Sequence, residues 1–294
     1  MAEEVGTANL RAEVVDRVIK GFATASYKFK QACTISGMNA WKGTFFRETS
    51  TALTANATTG DTAQTIRGLP RGANFPQAVV TWTEVPSYQE KYGLEDSIFW
   101  EDILTNDVDV QARTMFRIAE GVAKAVDDEI WTCLTDGRAP TAGVQTLVIA
   151  QTKGWEGTSA AIIDDLMNAK QKIAEYNYNT ENAMCFISPR DHRSIVTYLT
   201  GKGAQFPEIG QAMATNGRAG ILVGIQLVVS NSVAASKALV VIPKICATWK
   251  EAVTLQSTVV QDAYKGVKIR AVEIGKTQVT DPNAIVLISN TQNV

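Results

Sequence analysis

Histidine and cysteine are both scarce in this sequence. It contains one histidine, His192, and four widely spaced cysteines, Cys33, Cys133, Cys185 and Cys246. A zinc site needs three or four nitrogen or sulfur ligands close together, so we expect no metal and no cofactor. The cysteines form no Cys-x-x-Cys pair and no dense pattern of a secreted domain, and we expect reduced, mostly buried thiols. We interpret His192, near a helix start, as a surface residue rather than a general base.

Neither sign of charge is in excess. The chain has 28 basic and 30 acidic residues, a net charge of -2, whereas a tight nucleic-acid or membrane-surface patch needs a basic excess. No apolar run approaches the roughly 18 residues of a membrane span. The opening segment MAEEVGTANLRAEVVDRVIKGF is acidic where a signal peptide is basic. We expect a soluble chain made in a cytoplasm, with only weak, non-specific contact with nucleic acid and none with a membrane.

The motifs of nucleotide-binding and hydrolytic enzymes are missing as well. The sequence has no phosphate-binding Gly-x-x-x-x-Gly-Lys loop and no Gly-x-Ser-x-Gly nucleophile elbow, and GKGAQF at Gly201 lacks the third glycine of a dinucleotide fingerprint. We interpret residues 127–129, Asp-Asp-Glu, as a solvated or interface-facing patch rather than a cation site. NAT at Asn56 fits a glycosylation pattern, which we discount without a secretory signal. These absences argue against an enzyme.

Periodic apolar residues predict the main helices. Residues 9–23 have helical spacing and predict a short amphipathic helix that docks away from its neighbours in sequence. A second apolar stripe predicts a helix of some 27 residues, about 40 Å long, capped by Asn106 with Asp109 and ended by Asp136-Gly137. The stripe consists of Val108, Ala112, Met115, Ala119, Val122, Val126, Ile130 and Cys133.

The second half of the chain predicts an α/β region followed by strands. SAAIIDDLMNAKQKIAEY predicts a helix, AMCFI a buried strand, and SPRDHRSIVTYL a second helix with Ser188 as its cap and Pro189 in its first position. We expect ILVGIQLVVSNSV and KALVVI to form core strands, after a polar, glycine-rich loop. AVTLQSTVV and VKIRAVEIG predict a long hairpin around the turn QDAYKG, and AIVLIS a last strand.

A threonine-rich stretch lies between the first predicted helix and the long second one. Residues 49–65, TSTALTANATTGDTAQT, hold seven threonines, four alanines and one charge. They bury too little to offset an ordering entropy of roughly 1–2 kcal/mol per residue. Flanking aromatic segments over residues 36–93 predict two extended strands that lead out to a long tip and back. We expect this segment to become ordered on another copy of the same protein, by adding strands to a sheet edge.

Three stretches carry a resemblance to a known family. They are SIFWEDILTNDVDVQARTMFRIAEGVAKAVDDEIWTCLTDG, GILVGIQLVVSNSVAASKALVVIP and GVKIRAVEIGKTQVTDPNAIVLI. With the order of the predicted elements, they resemble the major capsid proteins of tailed bacterial and archaeal viruses, the Hong Kong 97 type. The resemblance implies an α+β fold with an N-terminal arm (residues 1–35), an extended loop (36–95), a peripheral domain with a long spine helix (96–142 and 250–294) and an axial α/β domain (143–249).

The resemblance also implies a function. Subunits would assemble as pentamers and hexamers into an icosahedral shell around a double-stranded DNA genome, in the host cytoplasm, and would reside in the virion. A portal protein and separate scaffold or decoration proteins would be partners. The loop 201–219 would lie near the five- and six-fold axes, and the turn 262–266 near a three-fold contact. Our candidates for subunit contacts are Thr51, Asn56, Arg67, Arg71, Asp262 and Lys265.

Other functions stay open at this point. An encapsulin-type nanocompartment, which packages a cargo enzyme instead of a genome, is implied by the same resemblance. An α/β enzyme whose pocket includes the glycine-rich loop 201–219 is a remote alternative, as is a standalone binding module or adhesin. Size separates these classes, because an enzyme or a binding module stays a small oligomer. The lysine and asparagine that cross-link subunits in the prototype cannot be placed in this sequence.

Overall fold

The computed structural model describes residues 12–48, 56–59, 62–65, 71–72, 82–105, 110–136, 144–201, 220–262 and 265–292. The helices are α1 (Ala12–Ser26), α2 (Trp100–Thr105), α3 (Val110–Asp136), α4 (Ile162–Ala174) and α5 (Pro189–Gly201), with 3-10 turns at Phe29–Ala32, Gln151–Lys153 and Pro282–Ala284. The strands are β1 (Thr34–Gly37), β2 (Lys42–Glu48), β3 (Asn56–Thr59), β4 (Thr62–Thr65), β5 (Trp82–Tyr88), β6 (Glu90–Phe99), β7 (Gln145–Val148), β8 (Met184–Ile187), β9 (Ile221–Leu222), β10 (Ile225–Val229), β11 (Lys237–Val241), β12 (Ala247–Asp262), β13 (Gly266–Val279) and β14 (Ile285–Ser289).

The long helix α3 has the 27 residues predicted for it. The described part of its apolar stripe is buried from Met115 to Cys133, with Ala112 half-buried. Val108 and the predicted cap residues lie outside the described residues. Burial of each aliphatic side chain of such a stripe stabilises the folded state by about 1.5–3 kcal/mol relative to leaving it exposed. The stripe packs on β13 and β6, so α3 lies across one face of a sheet.

That sheet has four strands in the order β1-β12-β13-β6. The predicted hairpin forms its centre, and β12 and β13 pair antiparallel from Ala247 opposite Val279 to Asp262 opposite Gly266. β1 joins β12 in parallel, and β6 joins β13 antiparallel. Along β13 buried and more exposed positions alternate, because only one face of the sheet is covered by helices. Helix α1 packs on α3 and β12. This agrees with the prediction that it docks away from its neighbours in sequence.

The second sheet has six strands in the order β7-β14-β11-β8-β10-β9. All four residues of β8 are buried, as predicted for AMCFI. The segment ILVGIQLVVSNSV, predicted to form a core strand, contains two short strands, β9 and β10. Val223 and Gly224 have positive φ values of 54° and 73°, and they form a two-residue turn that pairs β9 with β10. Such a turn reverses the chain within a few residues, and apolar periodicity does not report it.

The last strand lies in this second sheet. β14 pairs with β11 on one side and in parallel with β7 on the other. The expected division of the chain places this strand with the closing hairpin, in residues 250–294 of the peripheral domain. The 3-10 turn Pro282–Ala284, capped by Asp281, redirects the chain from β13 toward the six-stranded sheet, where four residues of β14 are buried.

The four cysteines are buried and form no disulfide. This confirms the prediction of reduced, mostly buried thiols. Burial raises the pKa of Cys33, Cys185 and Cys246, and that of Cys246 to about 12. The thiolate is the reactive form, so these thiols are inert near neutral pH.

Candidate functional site

A two-stranded ribbon, formed by β2 and β5, carries exposed aromatic side chains. The strands pair antiparallel over seven residues, from Lys42 opposite Tyr88 to Glu48 opposite Trp82. In the described part of the chain they belong to no larger sheet, and β3 and β4 form a further two-stranded hairpin within the same loop. An isolated pair of strands is marginally stable in water, so the ribbon needs support from another surface.

The two faces of the ribbon differ. Val85 on β5 is buried, whereas Phe46 and Tyr88 are 62% and 52% exposed. Trp41, the residue before β2, is also 62% exposed. Lys42 Nζ lies 5.7 Å from the centre of the Tyr88 ring, so a cation covers part of this aromatic surface. Exposed aromatic side chains on a small two-stranded element make it a candidate protein interaction surface.

The base of the ribbon is fixed to the four-stranded sheet. The Gln89 N–H donates to the Trp41 carbonyl at 3.0 Å, and the Met38 N–H donates to the Glu251 carbonyl at 2.9 Å. The Met38 side chain covers Gly43, where an added methyl group would lie 2.2 Å from Met38 Cε. The ribbon therefore leaves the sheet in a direction set by backbone hydrogen bonds and close packing.

An acidic residue of α3 holds the segment that precedes β1. The Asp127 carboxylate accepts backbone N–H groups from Lys28 at 2.7 Å, Phe29 at 3.1 Å and Lys30 at 3.4 Å. Burial raises the pKa of Asp127 to about 6, although the three N–H donors act in the opposite direction.

The interpretation of residues 127–129 as a solvated or interface-facing patch is therefore corrected. Asp127 and Glu129 are 3% and 8% exposed, and Glu129 Oε1 lies 2.5 Å from Lys276 Nζ on β13. The reason is that α3 lies between the sheet and the N-terminal segment, so two of its sides are covered.

Lys30 joins the same segment to the hairpin. Its Nζ lies 2.7 Å from Glu273 Oε1 and 3.1 Å from Glu251 Oε1. The Tyr27 hydroxyl donates to Glu273, which is fully buried. Burial, with the Glu273 carboxylate next in effect, raises the pKa of Tyr27. The N-terminal segment is thus tied to both long strands at the end of the sheet from which the ribbon leaves.

Four of the six predicted contact residues lie in the described part of the chain. Their role in subunit contacts stays a prediction. Asn56 begins β3, and Arg71 is exposed. Asp262 ends β12 and Lys265 is exposed beside β13, so these two lie at the same end of the hairpin. Thr51 and Arg67 lie outside the described residues, as do residues 202–219 of the glycine-rich loop.

The predicted cap of α5 is confirmed, and it belongs to a buried polar cluster. The Asp191 N–H donates to Ser188 Oγ at 3.1 Å, while Ser188 Oγ donates to Asp191 Oδ2 at 2.8 Å. Gln292 Nε2 donates to Asp191 Oδ1 at 3.1 Å, which ties the C-terminal segment to the helix. The Ser-x-x-Asp spacing is the sequence signal for Asp191. His192, in the same turn, is half-buried rather than fully exposed, and burial lowers its pKa.

Over the described ranges, no group of three or more histidine, cysteine or acidic residues is arranged to hold a metal ion. None of the helices in those ranges is long and apolar enough to cross a membrane.

Comparisons with known proteins point in one direction. A model of the phage capsid protein family matches residues 82–288. The capsid structure of the cyanophage P-SCSP1u is similar with a TM-score of 0.65 and 15% identity, over 90% of this chain and 88% of that chain. A structure of Mycobacterium phage Che8 gives 0.63 and 14%, over 90% and 92%. A virus-like particle from Pyrococcus furiosus gives 0.60 and 11%, over 94% and 98%. A search among curated proteins finds no match.

The expected α+β fold of the Hong Kong 97 type is confirmed by these similarities.

Proposed function

This chain belongs to the phage capsid protein family, and we propose that it assembles as pentamers and hexamers into an icosahedral shell around a double-stranded DNA genome. The ribbon is the observation that carries the proposal. Its two strands pair only with each other in the described chain, and Phe46 and Tyr88 are exposed on it. A monomer gains nothing from such a surface, whereas a subunit that tiles a shell can cover it with its neighbour.

The strength of the shell comes from repetition. Each ribbon contact is weak, because a small two-stranded element buries little apolar surface. Many copies of a weak contact stabilise a closed assembly and still let misplaced subunits dissociate.

The proposed function also divides the chain into four structural regions. Residues 1–35 form the arm, 36–95 the extended loop, 96–142 with 250–294 the peripheral domain, and 143–249 the axial domain. The pairing of β14 with β7 and β11 supports moving that strand to the axial domain. Within this division Thr51, Asn56, Arg67, Arg71, Asp262 and Lys265 are proposed as subunit contacts.

The wider setting is also a proposal. The chain resides in the virion after assembly in the host cytoplasm, and its partners are a portal protein and separate scaffold or decoration proteins. A net charge of -2 supports only loose contact with the packaged DNA. A nanocompartment that holds a cargo enzyme is the second candidate, because one similar structure is a virus-like particle from Pyrococcus furiosus.

Size is the first test. The chain is expressed alone and analysed by size-exclusion chromatography and negative-stain electron microscopy, and we expect closed shells or rings of five and six subunits. A monomer or dimer at every concentration means either that a separate scaffold protein is required or that the chain does not form shells. Particles purified from the natural source are then treated with nuclease. Protected double-stranded DNA supports the capsid, and a co-purifying enzyme without DNA supports the nanocompartment.

A further inference from the structure

We propose that residues 27–34, which we call the wedge, fix the angle between the four-stranded and the six-stranded sheet of the subunit and thereby the curvature of the shell. The wedge includes the 3-10 turn Phe29–Ala32 and ends at the first residue of β1. The link to shell curvature rests on the proposed function, whereas the fixed angle is a property of the single subunit.

Two short connections join the sheets and lie side by side. One runs from β11 to β12 and the other from β13 to β14. The Ile242 N–H donates to the Ala284 carbonyl at 3.0 Å, and the Thr280 N–H donates to the Cys246 carbonyl at 3.1 Å. A few connecting residues can absorb the rotation of one packed unit against another. Bonds confined to this narrow band therefore do not fix the angle between the sheets, and contacts away from it are needed.

Phe29 makes such a contact with both sides. Its side chain is fully buried. The centre of its ring lies 4.3 Å from that of Phe186, on β8 of the six-stranded sheet. It lies 5.5 Å from the ring centre of Trp131 on α3, the helix that covers the four-stranded sheet. Close-packed interiors have few voids into which a side chain can move, so one ring in contact with both sides keeps them at a fixed separation.

Polar contacts hold the wedge to the side of the four-stranded sheet. The Asp127 carboxylate of α3 accepts the backbone N–H groups of Lys28 and Phe29. Lys30 Nζ lies 2.7 Å from Glu273 Oε1 on β13, and Glu273 is fully buried. Removal of either member of a buried ion pair leaves an unpaired charge, so this attachment resists opening. Phe29 is thus carried on a segment that is already fixed to the helix and the hairpin.

The other end of the wedge is bonded to one of the two connections. The Lys244 N–H donates to the Ala32 carbonyl at 2.6 Å, and the Thr34 hydroxyl donates to the Lys244 carbonyl at 2.8 Å. Lys244 has a positive φ of 65°, which is uncommon for a residue other than glycine. The wedge therefore contacts both sheets and the chain between them, as a segment that fixes their angle must.

The angle between the sheets matters for assembly because it is part of the shape of the subunit. A repeated contact closes a ring only where the rotation between neighbouring copies has the right value. An angle that varied from one subunit to the next would change that rotation. Subunits with a fixed angle should therefore form shells of one diameter.

Pulsed electron paramagnetic resonance measures the angle as a distance between the two sheets. Val148 on β7 and Thr258 on β12 are exposed, so Val148→Cys and Thr258→Cys supply sites for two nitroxide labels. The native cysteines are buried, and the single variants give the background. The labelled full-length chain is mixed with an excess of unlabelled chain, so that pairs of labelled neighbours are rare. We expect a single narrow distance distribution when the wedge is intact.

Phe29→Leu is the test variant, and Leu166→Ala is the matched control. Both remove volume from a fully buried position, but Leu166 lies on α4, which packs on β14 of the six-stranded sheet. We expect both variants to lower the melting temperature. Only Phe29→Leu should lose the narrow distance distribution and form shells of mixed diameter in electron micrographs. Trp131→Phe changes the other side of the same contact, and we expect it to broaden the distribution as well.

An unchanged distance distribution in Phe29→Leu overturns the inference, and Trp131→Phe decides it in the same way if Phe29→Leu does not fold. Equal broadening in Leu166→Ala also overturns it, because general destabilisation would then be the cause. A broadened distribution together with shells of wild-type diameter overturns the link to curvature. Failure of wild type to form shells counts against the proposed function alone, and the distance measurement on the subunit still decides whether the wedge fixes the angle.

Discussion

Asp127 Oδ2 lies 2.7 Å from the backbone nitrogen of Lys28, 99 positions earlier in the chain. This hydrogen bond connects the middle of the spine helix to the segment that leads into β1 and the ribbon. A buried carboxylate here satisfies backbone donors that would otherwise be unpaired, so one side chain of α3 helps to hold the N-terminal segment in place.

Replacing Asp127 should destabilise the subunit. Asp127→Ala removes the acceptor of three buried N–H groups, and we expect a loss of about 2–4 kcal/mol in the free energy of unfolding, measured by urea denaturation. Asp127→Asn keeps one acceptor oxygen and should lose less. Asp128→Ala, at the half-buried neighbour, is the control. Equal losses from Asp127→Ala and Asp128→Ala would contradict the role of Asp127.

The contribution of Asp127 to stability should depend on pH. Its pKa rises from 3.8 to about 6 in the folded protein, so the native state binds more protons than the unfolded state between these values. Stability from this group is therefore largest below about pH 4 and falls as pH rises through about 6. We expect the difference in unfolding free energy between wild type and Asp127→Asn to change by up to about 3 kcal/mol across this range. A constant difference, or one that grows in favour of wild type at higher pH, would show that the sign is wrong.

Gly275→Ala should disturb the sheet next to the ribbon base. A methyl group at this position would lie 2.3 Å from Trp249 Cζ2 and 3.0 Å from the Lys250 carbonyl oxygen. Trp249 is fully buried, so the ring or the strand must move, at a cost of about 1–3 kcal/mol. Near-ultraviolet circular dichroism and thermal unfolding measure the change. Gly37→Ala on β1 has open space around its methyl group and is the control.

The exposed aromatic face of the ribbon should matter for assembly and not for folding. Phe46→Ser changes a side chain that is 62% exposed, so the free energy of unfolding of the subunit should stay within about 0.5 kcal/mol of wild type. We expect fewer closed shells by electron microscopy and light scattering. Val148→Ser, exposed on the six-stranded sheet, is the matched control. Wild-type yields of shells from Phe46→Ser would argue against the ribbon as the assembly surface.

Deletion of residues 50–64 tests the threonine-rich tip. We expect a folded subunit that cannot close shells, because the sequence of the tip offers few apolar side chains to bury and we propose that it gains order on a neighbour. Circular dichroism and size-exclusion chromatography separate the two effects. Shells of normal size from the deletion variant would refute this expectation.

Several elements of the fold were predictable because their signals are local. The stripe from Met115 to Cys133 predicted α3, alternation predicted the β12–β13 hairpin, and Ser188 with Pro189 predicted the start of α5. Each signal depends on residues a few positions apart, which share one face of one element. The exposed ribbon also followed from aromatic segments around a tip with little to bury.

Other features depended on contacts between distant segments. The sequence could not show that Asp127 would be buried, because its donors lie about 99 positions away and a carboxylate pair on a helix is usually solvated. The turn at Val223 was missed because a two-residue reversal interrupts no apolar run.

The sequence by itself determined the main helices, the closing hairpin, the fold class and the resemblance to capsid proteins, because hydrophobic periodicity and caps act within single helices and strands. Only the tertiary structure decided which strands are neighbours. It placed β14 beside β7, made β6 the last strand of the four-stranded sheet in the described chain, and buried Asp127 against the backbone of Lys28. Strand order and burial result from packing the whole chain into one core, and no local pattern encodes either of them.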